Sequence, residues 1–286
     1  SIIADDKDDL PKRHSSSNWI ESLTQEQRES ILWYADYETG NLNQWSDVNN
    51  QNPGGGVLNT DSQNVTAQAT NVVAHSGSFA GEATIRSAIR AENGDKAVRL
   101  MRWATGAYDS GGVDLPMEAC YSTWMYLPLP YDPNKASPWN SGDGGWWNVF
   151  QFKSHDQENI SQPTWSLNIQ KNLRDGQLYF YLYSPINQKR SWAPHIRKPI
   201  PIGRWFHVEA FVQVSSYEQG TIEIWLDGVS LIRATDVRTS VNIERENIVW
   251  GIGNYTDHID GGAKLGTATI YFDDSLISTL PVAPNA

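Results

Sequence analysis

The sequence contains a single cysteine, Cys120, among 286 residues. An internal disulfide is therefore excluded, and so is a metal site built from several cysteines. No local signature of a cysteine nucleophile accompanies this residue. Cys120 lies in the strand-like run ACYSTWMYL. This setting is typical of a small, buried apolar side chain.

No apolar run approaches the ~20 residues needed to span a bilayer, so we expect no membrane insertion. Basic residues are also scarce, because 22 lysines and arginines face 33 aspartates and glutamates, for a formal net charge of −11. Such a chain repels nucleic acid and anionic membranes at long range. No glycine-rich phosphate loop stands between a strand and a helix, and no nucleophile elbow is found.

Short strand-like runs separated by Gly, Pro, Asn and Asp fill the chain from Ile31 onward. In RWFHVEAFVQV and GTIEIWLDG, apolar residues alternate with polar or aromatic ones, and the second run ends in the turn Asp227-Gly228. The expected inward side chains are Phe206, Val208, Ala210, Val212, Val214, Ile222, Ile224 and Leu226. Many antiparallel strands with one apolar face must pack sheet on sheet. We therefore predict an all-β, two-sheet antiparallel β-sandwich over residues 31–286.

Residues 1–30 differ from the rest. The first stretch is a polar tail with charges of both signs, a proline and a serine run. A short N-terminal helix follows, for which Ser22 or Thr24 is the cap and Gln25 or Gln27 the capping-box partner. The chain starts at Ser1 without a methionine or an apolar signal core, which we interpret as a processed, secreted chain.

The most informative stretch is NVFQFKSHD, residues 148–156. In an extended strand, Val149, Gln151, Lys153 and His155 share one face, and Phe150, Phe152 and Ser154 share the other. The phenylalanines can bury in a core. An amide, an amine and an imidazole then stand in a row that could bind an acidic sugar and move a proton. The alternative is an ordinary half-exposed strand.

Two later runs offer further polar rows. TWSLNIQK places Ser166, Asn168 and Gln170 on one face as hydrogen-bonding groups for a sugar, and GQLYFYLYS does the same with Tyr179, Tyr181 and Tyr183. A tyrosine row can stack sugars and offers a phenol as proton donor. Tyrosines are also good strand formers on a partly solvent-exposed face, so a purely structural role for the three tyrosines is an open alternative. Alternation does not say to which sheet either run belongs.

Loop residues supply the remaining candidates. Trp147 and Trp192 could form platforms for sugar rings, although packing against a loop base is an equal alternative. Arg190, His195 and Arg197 lie in the most basic stretch of an acidic protein and could clamp a carboxylate. A solvated basic loop explains them as well. Alternation likewise does not say to which sheet His207 and Glu209 belong, and solvent exposure on the convex sheet is one explanation for them.

The order of motifs resembles the concanavalin-like jelly-roll polysaccharide lyases, the heparin-lyase-I-like and glucuronan-lyase-like group. The resemblance is carried by these pieces: DYETGNLNQW, AHSGSFA, YSTWMYLP, NVFQFKS, GRWFHVEAFV, GTIEIWLDG, GNYT and IYFDD. It implies a secreted jelly roll whose concave sheet binds a uronic-acid polysaccharide and cleaves it by β-elimination. We separately expect a monomer.

Residue roles follow from the same resemblance. Gln151 and Lys153 stand in the matching strand, where the family neutralises the substrate carboxylate, and His155 continues their face as a candidate base. A tyrosine, for which we take Tyr181, would protonate the leaving oxygen. Two alternatives remain: a non-catalytic carbohydrate-binding protein, and a glycoside hydrolase, for which Glu209 and Glu223 are the in-strand carboxylates.

Similar jelly-roll sugar-binding domains also imply a structural calcium ion that ties the first strand to the last. Glu38 and Asp273 are its predicted ligands, with Asp36 as a possible addition. Carboxylate and carbonyl oxygens suit this ion. The alternative is a pair of acidic strand ends without metal.

Overall fold

The computed structural model describes residues 18–46, 54–59, 65–86, 97–104, 115–131, 147–256 and 267–284. Strands dominate these residues, and the helices are α1 (Trp19–Ser22) and α2 (Gln25–Glu29). The strands are β1 (Ile31–Ala35), β2 (Gly55–Asn59), β3 (Val65–Thr70), β4 (Ala80–Ile85), β5 (Ala97–Trp103), β6 (Glu118–Tyr126), β7 (Trp147–His155), β8 (Ser161–Lys171), β9 (Leu178–Ser184), β10 (Arg190–Trp192), β11 (Trp205–Gln213), β12 (Gly220–Leu226), β13 (Val229–Val237), β14 (Val249–Tyr255) and β15 (Ala268–Ser278).

These strands form two antiparallel sheets. Sheet A has the order β13-β12-β11-β6-β15-β4-β3, and β1 also pairs with β15. Sheet B has the order β10-β9-β8-β7-β14-β5-β2. Apolar side chains from both sheets meet in one large buried cluster. The predicted two-sheet antiparallel β-sandwich with a short helical N-terminus is therefore confirmed.

The alternation in β11 and β12 is realised as predicted, because all eight expected inward side chains are buried in this cluster. The predicted turn Asp227-Gly228 joins β12 to β13, and its φ angles are 50° and 76°. Two positive φ values in a row are typical of the type I′ hairpin turn. Gly228 adopts this conformation without a steric penalty because it has no Cβ.

The N-terminal helices pack on the outer face of sheet A. Thr24 caps α2 and forms the capping box with Gln27, one of the two pairings that the sequence allows. Leu23 packs with Leu276 of β15 and Val282 of the C-terminal segment. Cys120 is buried and free, as expected. No helix within the described residues is long and apolar enough to cross a membrane.

His207 and Glu209 lie on this outer face but are buried, so the explanation that they simply face solvent does not hold. The ring of Trp19 covers His207, at a centroid distance of 5.6 Å. The C-terminal segment covers Glu209, and Val282 N donates to its Oε2 at 2.8 Å. The two chain ends thus shield side chains that strand alternation alone would leave exposed.

Burial raises the pKa of Glu209 from 4.5 to about 7, although hydrogen bonds from the backbone oppose this. Because the folded pKa is the higher one, Glu209 stabilises the fold fully below about pH 4.5, and this contribution is lost as the pH rises to about 7. The shift corresponds to about 3 kcal/mol. We expect Glu209→Gln to raise the melting temperature relative to the parent protein at pH 8 and to change it much less at pH 4.5.

Glu223→Gln is the matched control, because Glu223 lies on the adjacent strand and is half-exposed beside Arg233. Thermal unfolding of both variants and the parent at the two pH values gives the comparison. A Glu209→Gln effect of the same size at both would contradict the prediction.

Candidate active site

Strand β7 lies in the middle of sheet B, between β8 and β14. Phe150 and Phe152 are buried in the core, so Gln151 and Lys153 project from the opposite face, where both are half-exposed. Strands β8 and β9 alternate in the same way. We call this surface the open face of sheet B; in these three strands it carries Asn148, Gln151, Lys153, Ser166, Asn168, Gln170, Tyr179, Tyr181 and Tyr183.

The strand register arranges these side chains in rows across the sheet. In one row Gln151 stands opposite Ser166, which stands opposite Tyr183. Gln151 Nε2 donates to Ser166 Oγ at 3.2 Å. In the next row Asn168 stands between Asn148 and Tyr181. The polar runs of the sequence therefore converge on one surface.

A register shift in β7 changes which residue heads the second row. Asn148 pairs with Asn168 while Phe150 pairs with Leu167, so one extra residue is inserted on the β7 side. This β-bulge places Val149 in the core cluster and Asn148 on the open face. The sequence prediction, which assumed strict alternation, placed Val149 on the face with Gln151 and is corrected here.

Arg99 of β5 reaches this surface from two strands away. Its neighbour in β14 is Gly253, at which a Cβ atom would meet Val98 O at 1.9 Å and Arg99 Nη1 at 3.1 Å. The missing side chain therefore lets the guanidinium lie across β14 toward β7. Arg99 is 4% exposed, and its Cζ stands 4.7 Å from the ring centroid of Tyr255.

A chain of hydrogen bonds runs from Arg99 to Tyr181 across the sheet. Arg99 Nη2 donates to Asn148 Oδ1. Asn148 Nδ2 donates to Asn168 Oδ1 at 3.0 Å, and Asn168 Nδ2 donates to Tyr181 Oη at 3.2 Å. Below we call this arrangement the Arg99–Tyr181 chain.

The open face carries two cations with no carboxylate partner among the described residues, Arg99 and Lys153. Burial lowers the pKa of Arg99 to about 9, so the group remains charged at neutral pH. Burial, and then the charge of Arg99, lower the pKa of Lys153. Burial raises the pKa of Tyr181, while the hydrogen bond from Asn168 opposes that change. The Lys153 amine, which loses its proton more readily than a free lysine, therefore lies on the same face as the Tyr181 phenol, which holds its proton more tightly than a free tyrosine.

The sequence matches the family model described as Polysaccharide lyase over residues 37–275. This chain belongs to the polysaccharide lyase family. The predicted resemblance is thereby confirmed, together with the jelly-roll fold. Among curated protein sequences, none matches this chain.

Solved structures of similar fold include other lyases. The endo-β-1,4-glucuronan lyase from the fungus Trichoderma reesei is 17% identical, with a TM-score of 0.57, and the match covers 87% of this chain and 96% of that one. An alginate lyase from Aplysia kurodai is 13% identical, with a TM-score of 0.52 over 87% and 99% of the two chains. The cellulose-induced protein Cip1 is 14% identical, with a TM-score of 0.51 over 87% and 98%.

His155 was the predicted base, but its side chain is not accessible to a substrate. It lies at the end of β7 and is 3% exposed. Its Nδ1 is 3.1 Å from Asn159 Oδ1, and its backbone N donates to Asn247 Oδ1 at 2.8 Å. Packing of the neighbouring loops at the strand end buries the imidazole, so this part of the sequence prediction is corrected.

Neither predicted tryptophan platform lies on the open face. Trp147 is fully buried, and its Nε1 donates to Asn254 Oδ1 at 2.8 Å inside the sandwich. Trp192 packs on Trp165 at a ring-centroid distance of 4.9 Å and adjoins the core cluster. Trp147 fills space between the sheets, and its predicted contact with substrate is corrected. Trp192 is half-exposed on the edge strand β10, and its predicted contact with a sugar stays a prediction.

The basic residues around β10 belong to other contacts. Arg190 is exposed and lies over the Trp192 ring, and His195 is exposed in the following loop. Arg197 pairs with Asp175 and donates from Nε to Tyr179 Oη at 3.2 Å. Within the described part of the chain, no contact joins these groups to Gln151, Lys153 or Tyr181.

The remaining row members differ in their surroundings. The Tyr179 hydroxyl donates to Asp175 Oδ2 at 2.7 Å, so it is engaged by a neighbouring turn. Gln170, opposite Tyr179, is exposed. Tyr183 is half-exposed beside Ser166. Their predicted role in sugar binding remains a prediction, for which Tyr183 has the most suitable position.

Two of the predicted calcium ligands, Glu38 and Asp273, accept hydrogen bonds from backbone N–H groups of the loop before β4. Glu38 Oε1 accepts from Ser78 N and Phe79 N at 2.8 and 2.9 Å. Asp273 Oδ2 accepts from the backbone N of His75 at 2.8 Å, and Asp36 Oδ1 accepts from Gln44 Nε2 at 3.0 Å. The described residues contain no cluster of three acidic, histidine or cysteine side chains placed to hold a metal ion. Calcium binding remains a prediction, which metal analysis of the purified protein would test.

Proposed function

We propose that this chain is a secreted polysaccharide lyase that cleaves a uronic-acid polymer by β-elimination on the open face of sheet B. The observation that carries the proposal is the buried guanidinium of Arg99, which has no carboxylate partner among the described residues and lies on the same face as Lys153, an amine with a lowered pKa. A buried cation without a counter-ion is costly. A substrate carboxylate would supply the missing charge.

The first requirement of the reaction is neutralisation of that carboxylate, because a proton next to an anionic carboxylate is very weakly acidic. Gln151 is half-exposed and uses one N–H for Ser166, so its second N–H can bind the carboxylate. Arg99 lies deeper and contributes its positive field. Both favour the negative charge that develops as the C5 proton leaves.

The second requirement is a base and an acid. Lys153 is the better base on this face, because its lowered pKa leaves more of the amine neutral and His155 is buried. Lys153 would take the C5 proton and Tyr181 would give its phenolic proton to the departing C4 oxygen. The C4–O bond breaks and a C4–C5 double bond forms. Proton exchange with water then restores Lys153 and Tyr181.

Two neighbours of similar fold are named as lyases of uronate polymers, one of glucuronan and one of alginate, which supports this substrate class. A glycoside hydrolase is disfavoured, because it needs two facing carboxylates. Glu209 and Glu223 both lie on sheet A, and Glu209 is buried there.

We expect the purified protein to release unsaturated uronates, detected by their ultraviolet absorbance, from at least one of glucuronan, alginate, pectate, hyaluronan and heparin-type glycans. The carboxyl-reduced form of the cleaved polymer is the control and should remain intact, because it lacks the charge that Gln151 and Arg99 recognise. If no polymer yields an unsaturated product and one of them binds, the chain is a carbohydrate-binding protein and the proposed reaction is wrong.

A further inference from the structure

The Arg99–Tyr181 chain has a direction that its first member imposes. A guanidinium only donates hydrogen bonds. Asn148 must therefore turn its carbonyl oxygen to Arg99, which leaves its amide nitrogen for Asn168. Asn168 must accept with its oxygen and donate with its nitrogen to the oxygen of Tyr181. Asn148 Nδ2 also donates to Phe150 O at 3.4 Å, a longer local contact that favours the same orientation. Arg99 adds the donor at the Asn148 oxygen, and the orientation of Asn168 follows from that of Asn148.

The consequence concerns the proton of Tyr181. Since its oxygen accepts from Asn168, its hydrogen is not used within this chain and is available to a bound sugar. We propose that Arg99 and Asn148 are positioning residues, which fix the direction of hydrogen bonding across the sheet so that Tyr181 presents its hydroxyl hydrogen to the substrate. The role of Tyr181 as a proton donor rests on the proposed function. The Arg99–Tyr181 chain of hydrogen bonds can be tested without substrate.

The same chain stabilises what Tyr181 becomes after the proton has left. A phenolate needs a hydrogen-bond donor and a nearby positive charge. Asn168 supplies the donor, and Arg99 supplies the charge at the far end of the chain. Hydrogen bonds that all point one way also polarise one another, which strengthens the last of them.

Other groups around Tyr181 act in a way that can be separated from this effect. Strand β8 presents only uncharged side chains to the open face, namely Ser166, Asn168 and Gln170. Tyr183 lies on β9 with Tyr181, and it adds to the increase that burial causes in the pKa of Tyr181. The other charged or titratable groups on the neighbouring strands include Tyr179 on β9, Arg190 on β10, Lys153 and His155 on β7, Tyr255 on β14 and Arg99 on β5. Of the cations among them, only Arg99 is linked to Tyr181 by hydrogen bonds between described residues.

The experiment is a pH titration of Tyr181 in protein labelled with ¹³C at the tyrosine Cζ, where Tyr181→Phe identifies the resonance. We expect Asn168→Leu to raise the pKa of Tyr181 by about one unit or more, because a hydrogen bond to a charged group is lost. Asn148→Leu and Arg99→Met should raise it as well, although neither residue touches Tyr181. Arg99→Lys, which keeps a donor-only cation, should restore part of the shift.

Ser166→Ala is the matched control, since it removes a hydrogen bond from the next row of the same strand and should leave the titration of Tyr181 unchanged. An unchanged titration in Asn148→Leu would overturn the proposal, and so would an unchanged titration in Arg99→Met. If one of the two does not fold, the other decides. On a cleaved polymer, Asn148→Leu should lower kcat and leave KM unchanged, whereas Arg99→Met should lower kcat and also raise KM, because its charge attracts the substrate carboxylate.

Failure of this inference differs from failure of the proposed function. Shifted titrations in a protein that cleaves no uronate would uphold the chain and refute the lyase. Cleavage by a protein whose Tyr181 titrates alike in all variants would uphold the lyase and refute the chain.

Discussion

Lys153→Ala should reduce kcat/KM on the cleaved polymer by about 10³-fold, the size of effect typical of a lost general base. Lys153 stands on the open face next to Gln151, and burial and Arg99 lower its pKa. The base must be neutral to act, so the rate of the parent protein should rise with pH up to that lowered pKa. Initial rates of unsaturated product across the pH range measure both effects.

The Lys153→Arg variant distinguishes a role of Lys153 as the base from a role as a counter-ion for the substrate carboxylate. A guanidinium keeps the positive charge but does not act as a base at these pH values. We expect this variant to be as impaired as Lys153→Ala, and Lys189→Ala, at an exposed lysine, to retain full activity. Activity of Lys153→Arg within about tenfold of the parent would show that the residue serves as a counter-ion for the carboxylate and is not the base.

Tyr181→Phe should lower kcat by about 10³-fold with little change in KM, because the ring that contacts the sugar remains while the proton donor is lost. The parent protein should also lose activity at high pH, when Tyr181 ionises. Burial raises the pKa of Tyr181, so this loss should begin above the ordinary range of a tyrosine. The residual activity of Tyr181→Phe should lack that alkaline decline.

Tyr217→Phe is the control for this experiment. Tyr217 is exposed and follows β11, a strand of sheet A, whereas the open face belongs to sheet B. It should leave the rate and its pH dependence unchanged. A Tyr181→Phe variant with normal kcat and a normal alkaline decline would remove the phenol from the reaction and direct attention to Tyr183.

Strand alternation predicted the parts of the fold where nothing disturbs it. In β11 and β12 every second side chain enters the core, and the Asp227-Gly228 turn takes the expected form. The face on which Gln151 and Lys153 lie was predicted from Phe150 and Phe152, which alternate with them. Both phenylalanines are strongly apolar and are buried in the core, so the residues between and after them point the other way. Strand alternation and turn preference depend only on residues close together in the chain, so a single sequence is enough to predict their outcome.

The rest of the site depends on contacts between distant segments. Asn148 reaches the open face through a bulge in β7, and Arg99 reaches it across Gly253. The signals for Arg99 were present as an arginine within the apolar run AVRLMRW and as the glycines of WGIGNY, but only the pairing of β5 with β14 and β7 connects them. His155 and Trp147 fit the strand pattern and are nevertheless buried by their neighbours.

The segments that cover Glu209 and His207 also meet each other. Thr279 N donates to Ser30 O at 2.9 Å, and Gln27 Nε2 donates to Pro281 O at 3.1 Å. Both tails of the described fold therefore emerge side by side, behind the sandwich as seen from Tyr181. A fluorescent reporter attached at either end of the described residues, Asn18 or Pro284, should leave polymer access unobstructed. A short linker that joins them would also permit circular permutation at a surface turn elsewhere.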